Sequence, residues 1–88
     1  MSSRVVIHPD LTAICRKLRT KDPARYEQLK KKIRLIVENP EMGKPLHPPL
    51  KGQRRVHIGH FVLMYELDPK DNVIILLRFA HHDDVYDK

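Results

Sequence analysis

A single cysteine, Cys15, stands in a chain of 88 residues. It excludes an intramolecular disulfide and any cysteine-pair metal site, and it suits a reducing compartment. No stretch approaches the roughly 20 apolar residues needed to cross a bilayer. No N-terminal apolar run resembles a signal peptide. The expectation is a cytoplasmic protein that makes no membrane contact. A glycine-rich phosphate loop and a nucleophile elbow are both missing, as are internal repeats and low-complexity segments. Acidic residues are absent from one long block. None lies between Met42 and Tyr65, where Lys44, Lys51, Arg54, Arg55 and three histidines are found.

What is present is basic. The net charge is +6 and the isoelectric point is near 9.7. Such an excess points to a polyanionic partner, either nucleic acid or an acidic protein. A soluble protein that is basic by accident is the bland alternative. The acid-free block argues against it, because the excess is local. The length fits one domain, residues 1–88, with one small core. A chain this short buries only about 60–65% of its unfolded surface.

Val5-Val6-Ile7 is a β-branched run and reads as an edge strand ended by His8-Pro9. Asp10 is the expected cap of a first helix. Leu11, Ile14, Cys15 and Leu18 follow at helical spacing and form one apolar stripe. Asp22-Pro23 starts a second helix, with Tyr26, Leu29, Ile33, Ile36 and Val37 on its apolar face. Lys30, Lys31, Lys32 and Arg34 cover its other side, and such a run is usually a solvated face. Asn39-Pro40 stops it. The two helices should form a hairpin on one face of a sheet. Pro40 to Pro49 contains four prolines and Gly43, so no regular element is expected there.

Three strands should follow. Residues 51–59 form a basic strand, with Gln53, Arg55 and His57 on one side and Arg54, Val56 and Ile58 on the other, Val56 and Ile58 facing the core. Gly59-His60 is a tight turn. Phe61–Leu67 and Val73–Phe79 are nearly continuous apolar strands, with a turn over residues 68–72. Arg78 interrupts the last of these, either at the open sheet face or paired with Glu66. The tail then carries His81-His82-Asp83-Asp84-Val85-Tyr86. The fold class is α+β, with a helical hairpin on a four-stranded, mostly antiparallel sheet.

Five of the six histidines lie in the second half: His47, His57, His60, His81 and His82. Histidine gives and takes protons near neutrality. Cleaving RNA through the ribose 2′-hydroxyl needs a base, an acid and cations for the charge on phosphorus. Histidines with arginine and lysine supply all three without a metal or other cofactor. Scattered surface histidines are the competing explanation. A metal site at His81-His82-Asp83-Asp84 is a weaker one, since adjacent residues rarely point at one ion.

The order of elements, together with Leu50-Lys51-Gly52, Leu63-Met64-Tyr65-Glu66-Leu67 and Val85-Tyr86, resembles the RelE/ParE superfamily of toxin–antitoxin toxins. Leu76-Leu77-Arg78-Phe79, the tail histidine and His47 before Pro-Leu look closest to the YafQ-like branch of ribosome-dependent mRNA endonucleases. That resemblance implies a translation-inhibiting toxin whose partners are a cognate antitoxin, the ribosome and mRNA. It matches His47, His57, His82 and Tyr86 to the branch's loop, strand and tail positions. His60 stands where the branch has an acidic residue. Val62 stands where RelE proper has an arginine, and its tail arginine is a histidine here.

The implied catalytic set is His82, His57, His60 and Tyr86. His82 would act as acid or base, His57 or His60 as its counterpart, and Tyr86 would orient the tail. His47, Lys51, Arg54, Arg55, Arg78 and His81 would hold RNA or the ribosome. An acidic or amphipathic antitoxin segment would cover the basic cleft. Two other readings stay open. One is a ParE-like gyrase inhibitor that catalyses nothing. The other is a non-toxic module binding RNA or a partner on the same fold.

Overall fold

A computed structural model describes residues 4–45, 52–68 and 70–86. The chain runs β1 (Arg4–Ile7), α1 (Pro9–Lys21), α2 (Pro23–Glu38), a 3₁₀ turn (Pro40–Met42), β2 (Lys44–Pro45), β3 (Gln53–Ile58), β4 (Phe61–Asp68), β5 (Val73–His81) and α3 (His82–Tyr86). No helix among these residues is long and apolar enough to cross a membrane.

Local chemistry sets the helix ends. His8, rather than Asp10, caps α1: its Nδ1 accepts from the Asp10 amide at 3.1 Å. The imidazole reaches the exposed amide two residues on, which leaves the Asp10 carboxylate to favour the positive end of the helix. Asp22 caps α2 by accepting from the Arg25 amide, with Pro23 at the first helical position. Asn39 closes that helix through its amide to the Leu35 carbonyl.

The sheet has five strands in the order β1-β5-β4-β3-β2, one more than the sequence suggested. β1 lies parallel to β5 at one edge, and the other pairings are antiparallel. The extra strand comes from the proline-rich segment. Lys44 and Pro45 pair with Arg55 and Arg54 at the other edge, where proline costs little because one side of the strand needs no donor. Pro40–Met42 is also regular, as a single 3₁₀ turn.

The helical hairpin covers one sheet face. Leu11, Leu29 and Ile36 are fully buried against Val56, Ile58, Leu63, Tyr65, Ile74, Leu76 and Phe79. Ile14, Cys15, Leu18, Ile33 and Val37 pack around that cluster. Each fully buried large aliphatic contributes about 1.5–3 kcal/mol. The core thus joins the two helical stripes that the sequence displayed.

A β-bulge decides what the opposite face carries. Met64 pairs with Arg78, but the next residue, Tyr65, pairs with Leu76, so Leu77 has no residue opposite. Leu76 and Phe79 both point into the core although they are three positions apart, an offset that puts residues of a regular strand on opposite faces. The extra residue turns Arg78 and Ala80 to the open face, and Phe79 and His81 to the helix side. At the other end of β5, Asn72 adopts φ 56° in the turn, a left-handed conformation that asparagine tolerates better than most residues.

Candidate functional site

The open face is built from alternate residues of three strands. β3 contributes Gln53, Arg55 and His57, which pair with Glu66, Met64 and Val62 of β4. β5 contributes Arg78 opposite Met64, and Ala80 opposite Val62. One row therefore reads Arg55–Met64–Arg78. The next reads His57–Val62–Ala80, about 7 Å further along at two residues per step. Arg78 is exposed and makes no ion pair with Glu66 among the described residues. Val62 is fully buried beneath the histidine row.

His82 closes this row from the far side. β5 ends at His81, and α3 begins at His82, whose amide donates to the His60 carbonyl at 2.8 Å. That bond fixes the start of the tail against the hairpin turn, and the tail continues as a short helix. The ring of His82 stacks on that of His57, with centroids 6.0 Å apart and planes 28° from parallel. Both side chains remain open to solvent. The arrangement offers two imidazoles facing one space, with Arg55 and Arg78 on the same face.

A second histidine pair lies beside the first. His60 and His81 stack at 6.3 Å. His81 shares the helix-side face with its partner Phe61, which it meets edge-on at 5.4 Å. Phe61 also stacks on Phe79 at 5.1 Å and lies beneath the Arg25 guanidinium at 4.3 Å. His60 and His81 thus belong to an aromatic group on the other side of the strand. Of the two counterparts considered for His82, the geometry joins His57 to it and not His60. Asp83 was weighed in the sequence only as a metal ligand. Its carboxylate oxygens lie 3.6 Å from His82 Nδ1 and 3.8 Å from His81 Nδ1. Its signal was the acid directly after a histidine pair. Among the described residues, no three of His, Cys, Asp and Glu gather as a ligand set.

Arg54 points the other way from Arg55. Its guanidinium donates to the carbonyls of Glu41 and Gly43 at 3.0 and 2.7 Å, tying β3 to the 3₁₀ turn. It is held by the fold and stands apart from the open-face cations. Nearby, the Tyr65 hydroxyl donates to the Pro40 carbonyl at 2.7 Å and accepts from the Gly43 amide at 2.9 Å. Burial pushes that phenol above its usual pKa, against the smaller opposing effects of the Gly43 amide and the Arg54 charge. Burial also raises the Cys15 thiol. His47 and Lys51 lie outside the described residues, and Tyr86 is placed by its backbone alone.

A family model described as the ParE toxin of the type II toxin–antitoxin system parDE matches residues 7–86. The chain belongs to the RelE/ParE superfamily of type II toxin–antitoxin toxins. A protein of Methanocaldococcus jannaschii that carries the toxin name RelE4 is 36% identical over 85 residues, covering 96% of this toxin and 90% of that protein. The toxin's fold also matches solved structures. The YoeB/ParE toxin of Agrobacterium tumefaciens superposes with a TM-score of 0.80 at 14% identity, covering 90% of this chain and 98% of that one. The RelBE2 toxin–antitoxin complex of Mycobacterium tuberculosis gives 0.77 at 22% identity, with 92% and 99% covered. At these identities the two structures establish the toxin's α+β fold.

Proposed function

We propose that this toxin is a ribosome-dependent mRNA endonuclease of the YafQ-like kind, acting in the cytoplasm through a histidine pair. The observation that carries the reading is the stacking of His57 and His82 across the open face, with Arg55 and Arg78 alongside. One imidazole removes the proton of a ribose 2′-hydroxyl, whose oxygen attacks the adjacent phosphorus. The other gives a proton to the 5′-oxygen as its bond to phosphorus breaks. The products are a 2′,3′-cyclic phosphate and a free 5′-hydroxyl. The arginines offset the charge that builds on the phosphoryl oxygens. The Asp83 carboxylate lies beside the His82 ring, 3.6 Å from its Nδ1.

Metal plays no part in this scheme. Incubation with translating ribosomes and mapping of mRNA ends tests it directly. Wild type should cut and His82→Ala should not, with EDTA making no difference. Equal cleavage by the two proteins removes His82 from the mechanism, and loss of activity with EDTA replaces the scheme with a metal-dependent one.

A cognate antitoxin is the proposed protein partner, through an acidic or amphipathic segment laid over the open face. The complexed state of the M. tuberculosis relative supports a partner of this kind. The second reading is a non-catalytic gyrase inhibitor, favoured by the ParE name of the matching family model. Inhibition of DNA supercoiling by a toxin that leaves mRNA intact would establish it in place of the first.

A further inference from the structure

β3 has a free outer edge. β2 pairs only with Arg54 and Arg55, so the strand from Val56 to Ile58 has no neighbour on that side among the described residues. α2 runs past this edge, and the space between them is a groove of about 360 Å³. Gln28, Lys31, Lys32 and Leu35 line one wall, and His57 and Gly59 lie on the other. No acidic residue lines it among the described residues. Glu27, the nearest carboxylate in sequence, is engaged with Lys30 at 3.3 Å. Neither Lys31 nor Lys32 has an ion pair among the described residues. Leu35 is 46% exposed and gives the groove an apolar spot.

We infer that this groove carries the single-stranded RNA that flanks the cleaved bond, with Lys31 and Lys32 holding phosphates and Leu35 supporting a base or sugar. Three observations combine. The groove shares His57 with the histidine pair, so a strand lying across that pair reaches it over the edge of β3. Its polar lining is cationic and includes an amide, Gln28, able to hydrogen-bond a base edge. Its apolar spot sits where an unstacked base needs a surface. The lysine run of α2, which reads as a solvated face in the sequence, thereby becomes the distal part of the substrate track. The inference rests on the reading of the open face as an RNA-cleaving site.

The test uses the full chain and two uridine oligonucleotides, of 4 and 12 nucleotides, in equilibrium binding across a salt series. Lys31→Gln/Lys32→Gln keeps helix-forming side chains and should melt like wild type. Wild type should bind the longer RNA more tightly, and the double variant should lose that advantage. Two phosphate contacts at about 0.7 each predict a salt slope shallower by about 1.4. That corresponds to about 25-fold weaker binding of the 12-mer at 0.1 M than the 1 M comparison implies. An unchanged slope in the double variant overturns the inference, as does absence of wild-type binding at 50 mM salt. A variant that loses binding of a glutamate-rich peptide but keeps the RNA also overturns it, since the groove then docks protein. Cleavage that survives with lysine-independent binding fails the groove alone. Lysine-dependent binding by a toxin that cuts nothing fails the endonuclease reading alone.

Discussion

The imidazole of His57, one residue before the end of β3, lies 6.0 Å from that of His82, the first residue of the terminal helix. The two rings are related by a stacking contact, while His60 is turned to His81 instead. Single alanine substitutions should separate the pairs. His82→Ala and His57→Ala should each lower ribosome-dependent cleavage by about 10²–10⁴, a loss of about 3–5 kcal/mol in barrier lowering. His60→Ala should stay close to wild type. All three should melt near the wild-type temperature, because exposed histidines add little to the core. Cleavage that depends on His60 but not on His57 would exchange their roles.

The two adjacent arginines of β3 should give opposite phenotypes. Arg54 donates to two loop carbonyls, and charge-assisted bonds of this kind contribute about 1.5–3 kcal/mol each. Arg54→Ala should therefore lower the denaturation midpoint and leave the salt slope of ribosome binding intact. Arg78→Ala and Arg55→Ala should reduce that slope by about one unit per residue, because a phosphate contact positions the RNA without reading its sequence. Arg78 is the cleaner case, since its side chain is exposed on the open face. Sedimentation with ribosomes at several salt concentrations measures the slope, and urea titration measures the midpoint. A salt slope that changes for Arg54→Ala but not for Arg78→Ala would reverse the assignment.

Much of this architecture was legible because it follows from short-range rules. The stripe of Leu11, Ile14 and Leu18 and the Asp22-Pro23 start both depend on local spacing, and both are found as read. Val56 and Ile58 point inward as alternation requires. The rest depends on contacts between distant parts of the chain. Nothing local marks Lys44-Pro45 as a strand, because its conformation comes from pairing with Arg54 and Arg55. The bulge at Leu77 is equally silent in an unbroken apolar run. It changes the parity of every residue after it, so alternation alone would assign the tail histidines to the wrong faces. The resemblance points to His82 for the catalytic role, and in the structure its ring is the one that stacks on His57. Alternation sets Arg54 and Arg55 on opposite sides, but the carbonyls that hold Arg54 depend on where the 3₁₀ turn lies, which the proline content concealed.

Tyr65 should control stability at high pH. Its side chain is fully buried, and its hydroxyl satisfies both the Pro40 carbonyl and the Gly43 amide. Tyr65→Phe leaves those two groups without their partner and should cost about 1–3 kcal/mol. Burial holds the phenol above its usual value in the folded chain. The unfolded chain ionises near the ordinary pKa of about 10. Stability from the neutral phenol is thus complete below about pH 10 and is lost as pH rises through the raised folded value. Denaturation midpoints measured between pH 8 and 11.5 should fall more steeply above pH 10 in wild type than in Tyr65→Phe. Parallel curves would mean that the hydroxyl contributes nothing to the alkaline transition.

Gly43 is constrained by space rather than by backbone angle, since its φ of −74° suits any residue. A Cβ there would stand 2.6 Å from the Tyr65 hydroxyl, 2.9 Å from its ring and 2.8 Å from the Arg55 carbonyl. All three are closer than real Cβ atoms come, and two belong to a buried ring that cannot swing away. Gly43→Ala should therefore push the 3₁₀ turn off β3, at a cost of about 1–3 kcal/mol. It also breaks the bond from the Gly43 amide, so the two substitutions act on one contact. In a double-mutant cycle, Tyr65→Phe removes the oxygen nearest the added methyl. The double variant should then be more stable than the sum of the single losses implies, by about 0.5–3 kcal/mol. The carbonyl contact remains, so recovery should be partial. Strict additivity would show that the turn moves aside freely and that the Tyr65 hydroxyl does not fix it.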